Sequence, residues 1–182
     1  MKIAILGAEG TGKTLLSHAL VQALRTSESS SILTPDVLHE WCTQHGRTPR
    51  SHEQAAIATE QSRRVHTSMP TDALVVDSPS LMTAVYSDLL FDDRSLDSYA
   101  IAQQRRCALT LLTALDIAWV PDGLQRDGPQ VREPVDQALR ELMGAHGIGY
   151  AVVGGSGQTR LDNAMAAVAP LLRGRGAAAS QP

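Results

Sequence analysis

The sequence predicts an α/β fold in which a five-stranded parallel sheet is covered by helices on both faces. Three observations predict it. Short unbroken apolar runs, Ile3-Ala4-Ile5-Leu6 and Ala73-Leu74-Val75-Val76, read as strands buried on both faces. Segments with apolar residues three and four apart, such as Leu15, Leu16, Ala19, Leu20 and Ala23, lie between such runs and read as helices. Their alternation along the chain implies parallel strands joined by crossover helices. A chain of 182 residues, 43% of them apolar, is long enough to bury a core. Aromatics make up only 3%, so that core is built from Leu, Ala, Val and Ile.

Taken in order, Ile3–Leu6 is the first strand, Gly7–Gly12 a loop, and Thr14–Leu24 an amphipathic helix. Ser27–Ser31 is a polar turn before a short strand at Ile32-Leu33, which Pro35 ends. Val37–His45 reads as a helix, Gly46–Pro49 as a loop, and Ser51 as the N-cap of a helix reaching about His66. Pro70–Asp72 turns into the strand Ala73–Val76, which ends in Asp77. A short helix follows over Leu81–Leu89, a polar loop over Phe91–Arg94, and a longer helix over Leu96–Leu112. Ile117–Val120 reads as a strand closed by Pro121-Asp122-Gly123. Arg126–Glu133 has no apolar period, and a small helical lid is expected around residues 122–134. Val135–Ala145 is a helix, Tyr150–Val153 the last strand and Leu161–Leu172 the last helix. One domain over 1–172 and a disordered tail over 173–182 are expected, because the tail is small, polar and rich in Ala and Gly.

The loop after the first strand, Gly7-Ala8-Glu9-Gly10-Thr11-Gly12-Lys13-Thr14, fits G-x-x-x-x-G-K-[ST] in full, between a buried strand and an amphipathic helix. Its glycines let successive backbone N–H groups point inward at a phosphate, and the helix adds its positive N-terminal end. This makes the expected architecture that of a P-loop NTPase, a three-layer sandwich. The nucleotide-binding set is Gly7, Glu9, Gly10, Thr11, Gly12, Lys13, Thr14 and Leu15, with ATP and Mg²⁺ as cofactors. Lys13 reaches the terminal phosphates as a point charge, and Thr14 offers its hydroxyl to the metal.

Such folds hold Mg²⁺ partly through an Asp at the end of a neighbouring strand, and Asp77 stands at that place; an N-cap for the next helix is its other reading. Asp36 and Glu40 follow the second strand at the same edge. Each is either a group that receives a proton from a substrate hydroxyl or part of a solvated helix face. Arg126 and Arg132 lie in the unpatterned segment, as solvated loop residues or as cations that neutralise a transferring phosphoryl group. Arg63-Arg64 and Arg105-Arg106 read as solvated faces that would otherwise supply a phosphate-bearing acceptor with cations.

A net charge of −3 with both signs interspersed argues against a broad nucleic-acid footprint. No apolar stretch approaches the roughly 20 residues of a membrane span, and the first strand is too short for a signal segment. Cys42 and Cys107 lack metal-ligand spacing and read as reduced thiols, and the six histidines form no zinc pattern. The expected location is the cytoplasm. The expected partners are a nucleotide and a small-molecule acceptor, with neither nucleic acid nor membrane, and a homodimer left open.

Further landmarks join the phosphate loop: Thr34-Pro35-Asp36 with Glu40-Trp41, Ile57-Ala58 with Gln61, Val76-Asp77-Ser78 with Thr83, and Trp119-Val120-Pro121-Asp122-Gly123-Leu124. In this order, from residue 1 to about 172, they resemble the kinase domain of the NadR-type nicotinamide riboside kinases and their AAA-like relatives. The resemblance implies transfer of the ATP γ-phosphoryl group to a riboside 5′-hydroxyl, and a place in NAD biosynthesis. It assigns phosphate and magnesium roles to Lys13, Thr14 and Asp77, and lid arginines to Arg126 or Arg132. The chain departs from the family pattern at Asp36 and His39, where the family carries Glu and Arg, at Ser78-Pro79 and at Gln125. No nucleotidyltransferase or DNA-binding segment is read in it. Two other functions stay open at this stage: a regulatory ATPase without a small-molecule acceptor, and a nucleoside monophosphate kinase.

Overall fold

The structure, a computed structural model, describes residues 1–27, 29–120 and 129–179. Five strands, β1 (Lys2–Leu6), β2 (Ser31–Thr34), β3 (Ala73–Asp77), β4 (Leu109–Thr113) and β5 (Ala151–Val153), form one parallel sheet in the order β2-β3-β1-β4-β5. Seven helices are described: α1 (Lys13–Thr26), α2 (Val37–His45), α3 (Ser51–Thr67), α4 (Ser80–Phe91), α5 (Asp97–Gln104), α6 (Arg132–Ala145) and α7 (Gly157–Ala179). A 3-10 turn, Pro129–Val131, precedes α6.

β1 pairs with β3 on one side and β4 on the other, so strand order reverses around it and the crevice opens at its carboxyl end. Its residues alternate between two cores. Ile3 and Ile5 join Val75 and Leu111 beneath α1 and α7, while Leu6 joins Leu112 beneath α4, α5 and α6. Both faces are therefore apolar, which is why β1 and β3 carry unbroken apolar runs.

Two sequence expectations on this half of the sheet were wrong. The helix expected over Leu96–Leu112 ends at Gln104, and Leu109–Thr113 is β4. The Ala108 N–H donates to the Lys2 carbonyl at 2.8 Å and starts the pairing with β1. Leu111 and Leu112 are fully buried on opposite faces, a placement that outweighs the helical spacing they also satisfy. Ile117–Val120, read as a strand, has no regular structure and lies over the phosphate loop. The last helix starts at Gly157 and runs to Ala179, past the expected end at Leu172; residues 180–182 lie outside the described ones. Residues 122–128, most of the lid expected around 122–134, also lie outside them.

Candidate active site

The phosphate loop joins β1 to α1 and is fixed by residues distant in sequence. Gly7 has φ 150°, and a Cβ placed on it would stand 1.9 Å from Thr113 Oγ1 at the end of β4. That hydroxyl lies 2.7 Å from Thr11 Oγ1 and 3.2 Å from the Leu6 carbonyl oxygen, and Thr11 in turn donates to the Ala8 carbonyl at 2.7 Å. Gly10, at φ 64°, faces Trp119 Cδ1 at 3.3 Å from its would-be Cβ, so the 117–120 segment roofs the loop. Arg160 of α7 is buried. Its guanidinium donates to the Thr11 and Gly155 carbonyls and pairs with Asp116, tying the last helix to the loop.

Lys13 Nζ donates to the Ala8 carbonyl at 3.0 Å, within the loop whose phosphates it is expected to meet. Thr14 Oγ1 donates to Asp77 Oδ2 at 2.7 Å, and Ser78 Oγ donates to Asp77 Oδ1 at 3.2 Å. Asp77 is buried at the end of β3. These hard oxygens, one hydroxyl and one carboxylate, suit Mg²⁺, which keeps few protein ligands and takes the rest from phosphates and water. Among the described residues no cluster of three His, Cys, Asp or Glu side chains would hold a metal without such help.

The second carboxylate reaches the site as an N-cap. Asp36 Oδ1 accepts from the His39 N–H at 3.0 Å and starts α2. Burial and the neighbouring Asp77 charge push its pKa above the usual value of 3.8. Gln61 of α3, 1% exposed, holds the two carboxylate-bearing segments together. Its Oε1 accepts from the Val37 N–H at 2.9 Å, and its Nε2 donates to the Asp77 carbonyl at 3.4 Å.

Glu40, the other candidate base, points away and pairs with Arg64 at 2.5 Å. Arg63 and Arg64 are bound to Glu60, Arg105 to the His146 carbonyl, and Arg106 to His66. Arg126 lies outside the described residues. Arg132 is 8% exposed at the start of α6, and its Nε and Nη2 have no hydrogen-bond partner.

A cavity of about 840 Å³ runs from the phosphate loop across the carboxyl edge of the sheet. Lys13, Thr14 and Leu15 line it from α1, and Asp36 and Ser78 from the strand ends. The rest of its wall comes from α2, the loop before α3 and its first turns, α4 along its length, the 117–120 segment and the start of α6.

A family profile described as AAA domain matches residues 2–160. The chain belongs to the AAA domain family. No curated protein matches this AAA domain in sequence. Solved structures match it in fold. A NadR protein in complex with NR superposes with a TM-score of 0.75 at 18% identity, covering 92% of this chain and 50% of that one. Deoxyadenosine kinase from M. mycoides with products dcmp and a flexible dcdp bound gives 0.59 at 14%, covering 94% and 100%. Thymidylate kinase from Ehrlichia chaffeensis gives 0.59 at 14%, covering 86% and 88%. The fold is thus that of P-loop kinases, and this AAA domain spans about half the length of the NadR chain it matches. No described helix is long and apolar enough to cross a membrane.

Three residues of the site escaped sequence reasoning. Thr113 and Arg160 lie 102 and 149 residues from their partner Thr11, so no local pattern marks them. Gln54, which lines the cavity, carries no motif of its own.

Proposed function

We infer that this chain is an ATP-dependent kinase that moves the γ-phosphoryl group onto a riboside hydroxyl, with nicotinamide riboside as the favoured acceptor. One observation carries the reading: Lys13, Thr14 and Asp36 face a single cavity, with Asp77 bonded to Thr14. Fold likeness to a NadR protein in complex with NR supports the choice of acceptor, and with it a place in cytoplasmic NAD biosynthesis.

The loop amides from Gly7 to Leu15 enclose the β-phosphate, and Lys13 exchanges its bond to the Ala8 carbonyl for the terminal phosphates. Thr14 and Asp77 would hold Mg²⁺, which would supply positive charge to the phosphates. Asp36 takes the proton of the acceptor hydroxyl as that oxygen bonds to the γ-phosphorus and the bond to the ADP oxygen breaks. A carboxylate whose pKa burial has raised is the better base for this step. Arg132, buried beside the lining residues Val131 and Pro134 with two unpartnered guanidinium nitrogens, is assigned to the charge of the transferring group once it turns toward the cavity, and Arg126 is assigned the same task. Catalysis is positioning and charge stabilisation.

Lys13→Ala is expected to abolish ATP turnover, followed as ADP release with a panel of ribosides; full activity in that variant refutes the proposed phosphate site. Acceptor stimulation supports the kinase, while slow hydrolysis untouched by every acceptor supports a regulatory ATPase. The arginines a nucleoside monophosphate acceptor would need are engaged elsewhere.

A further inference from the structure

Among the described residues of the cavity wall, Gln54 carries a buried carbonyl oxygen without a hydrogen-bond partner. Gln54, in the first turns of α3, is 1% exposed and lines the cavity, yet its Oε1 accepts no hydrogen bond. A buried carbonyl oxygen left unpaired is costly, and such groups are rare unless something completes them. The elements on either side of α3 contribute apolar wall: Leu38 and Cys42 from α2, Pro49 from the loop before α3, Met82 and Tyr86 from α4. Among the described lining residues the acidic and basic side chains are Glu9, Lys13 and Asp36, all in the phosphate loop or at the start of α2. The Gln54 region therefore presents a largely apolar slot, with the hydroxyl residues Thr48, Thr83 and Tyr86 on its wall and a Gln54 carbonyl oxygen that lacks a partner.

The geometry points to Gln54 as the residue that reads the acceptor's head group, its Oε1 accepting a hydrogen bond from an uncharged N–H edge. This rests on the kinase reading above and specifies the substrate class for it. Two kinds of riboside supply such an edge: a carboxamide on a pyridine ring, or an exocyclic amino group on a nucleobase. A flat ring bearing either fills the slot between α2 and α4, while the ribose hydroxyl reaches Asp36.

The test compares two pairs of acceptors that differ only at the edge. One pair is nicotinamide riboside and 3-acetylpyridine riboside, in which a methyl replaces the amide nitrogen. The other is adenosine and purine riboside, which lacks the amino group. In the unsubstituted protein kcat/KM is expected to favour the N–H member of one pair by roughly 100-fold. The pair that shows the preference assigns the carboxamide or the nucleobase. In Gln54→Leu that preference is expected to fall to within about 3-fold of unity, with a Tm no lower than before, since an unpaired polar atom is removed. A ratio measured on one preparation cancels the folded fraction, and Gln54→Met, closer in volume, serves if the Leu variant does not accumulate. A ratio near unity in both pairs overturns the role of Gln54, as does a preference that survives in both variants. In either case acceptor-stimulated ADP release still upholds the kinase. ADP release that no acceptor stimulates overturns the kinase reading, and the role of Gln54 with it.

Discussion

Gly7→Ala together with Thr113→Ala probes how the phosphate loop is held. An alanine Cβ at position 7 would lie 1.9 Å from Thr113 Oγ1 and 3.1 Å from Thr11 Oγ1. Ordinary contact needs about 3.4 Å or more, so Thr113 must move by over an ångström in a fully buried place. Turning its side chain away breaks its hydrogen bonds to Thr11 and Leu6, and a β-branched residue has few rotamers to turn into. Overpacking costs ~1–3 kcal/mol, the φ of 150° about 1–2 kcal/mol for a residue with a Cβ, and the lost hydrogen bonds about 1 kcal/mol. Gly7→Ala should therefore destabilise by ~3–6 kcal/mol, lowering Tm by roughly 6–24 °C in a chain of this size. Thr113→Ala alone should cost about 1 kcal/mol. The double variant keeps the backbone strain and loses the collision, so it should fall short of the sum by ~2 kcal/mol. Urea unfolding followed by tryptophan fluorescence measures all three, and Trp119 over Gly10 reports directly on the loop. A Gly7→Ala cost below about 1 kcal/mol, or additivity within about 0.5 kcal/mol, refutes the contact.

Asp36→Asn should cut turnover about 10²–10⁴-fold and remove the acidic limb of the pH–rate profile. Its stability effect has the opposite sign. The folded pKa of Asp36 is raised, so the stabilisation from its protonated form is complete below 3.8 and is lost as pH rises through the folded value. Asn caps a helix as well as Asp, so the variant should melt higher than the parent at pH 7 and lose that advantage near pH 4; equal melting at both contradicts the burial of the charge. Arg160→Met removes donors to Thr11 and Gly155 and the pairing with Asp116. It should cost about 2–3 kcal/mol and weaken ATP binding roughly tenfold in calorimetry, whereas an unchanged Kd would separate α7 from the phosphate site.

The phosphate loop was legible because every part of its signal is local: glycines, lysine and threonine within eight residues, after an apolar strand. Asp77 was legible for the same reason, as the first polar residue after a buried run. Asp36 and Glu40 looked alike in sequence, and only the helix they share separates them, one capping it and one facing Arg64. The β4 error shows where spacing fails. Leu109, Leu111 and Leu112 satisfy both periods, and the choice was made by the free edge of β1, which no local window contains. Ile117–Val120 misled in the opposite way. Its apolar residues are there to cover glycines, and the sheet position they seemed to claim was already filled.

Arg160 also sets a time at which the site can exist. In a chain made from its amino end, the glycine loop leaves the ribosome early, but its Thr11 carbonyl meets its guanidinium partner only after about 149 further residues. β5, at the edge of the sheet, emerges just before it. Until α7 docks, the cradle is held by Thr113 but lacks the guanidinium that ties its Thr11 carbonyl to Asp116, and a chain released before that helix would keep the loop without that tie.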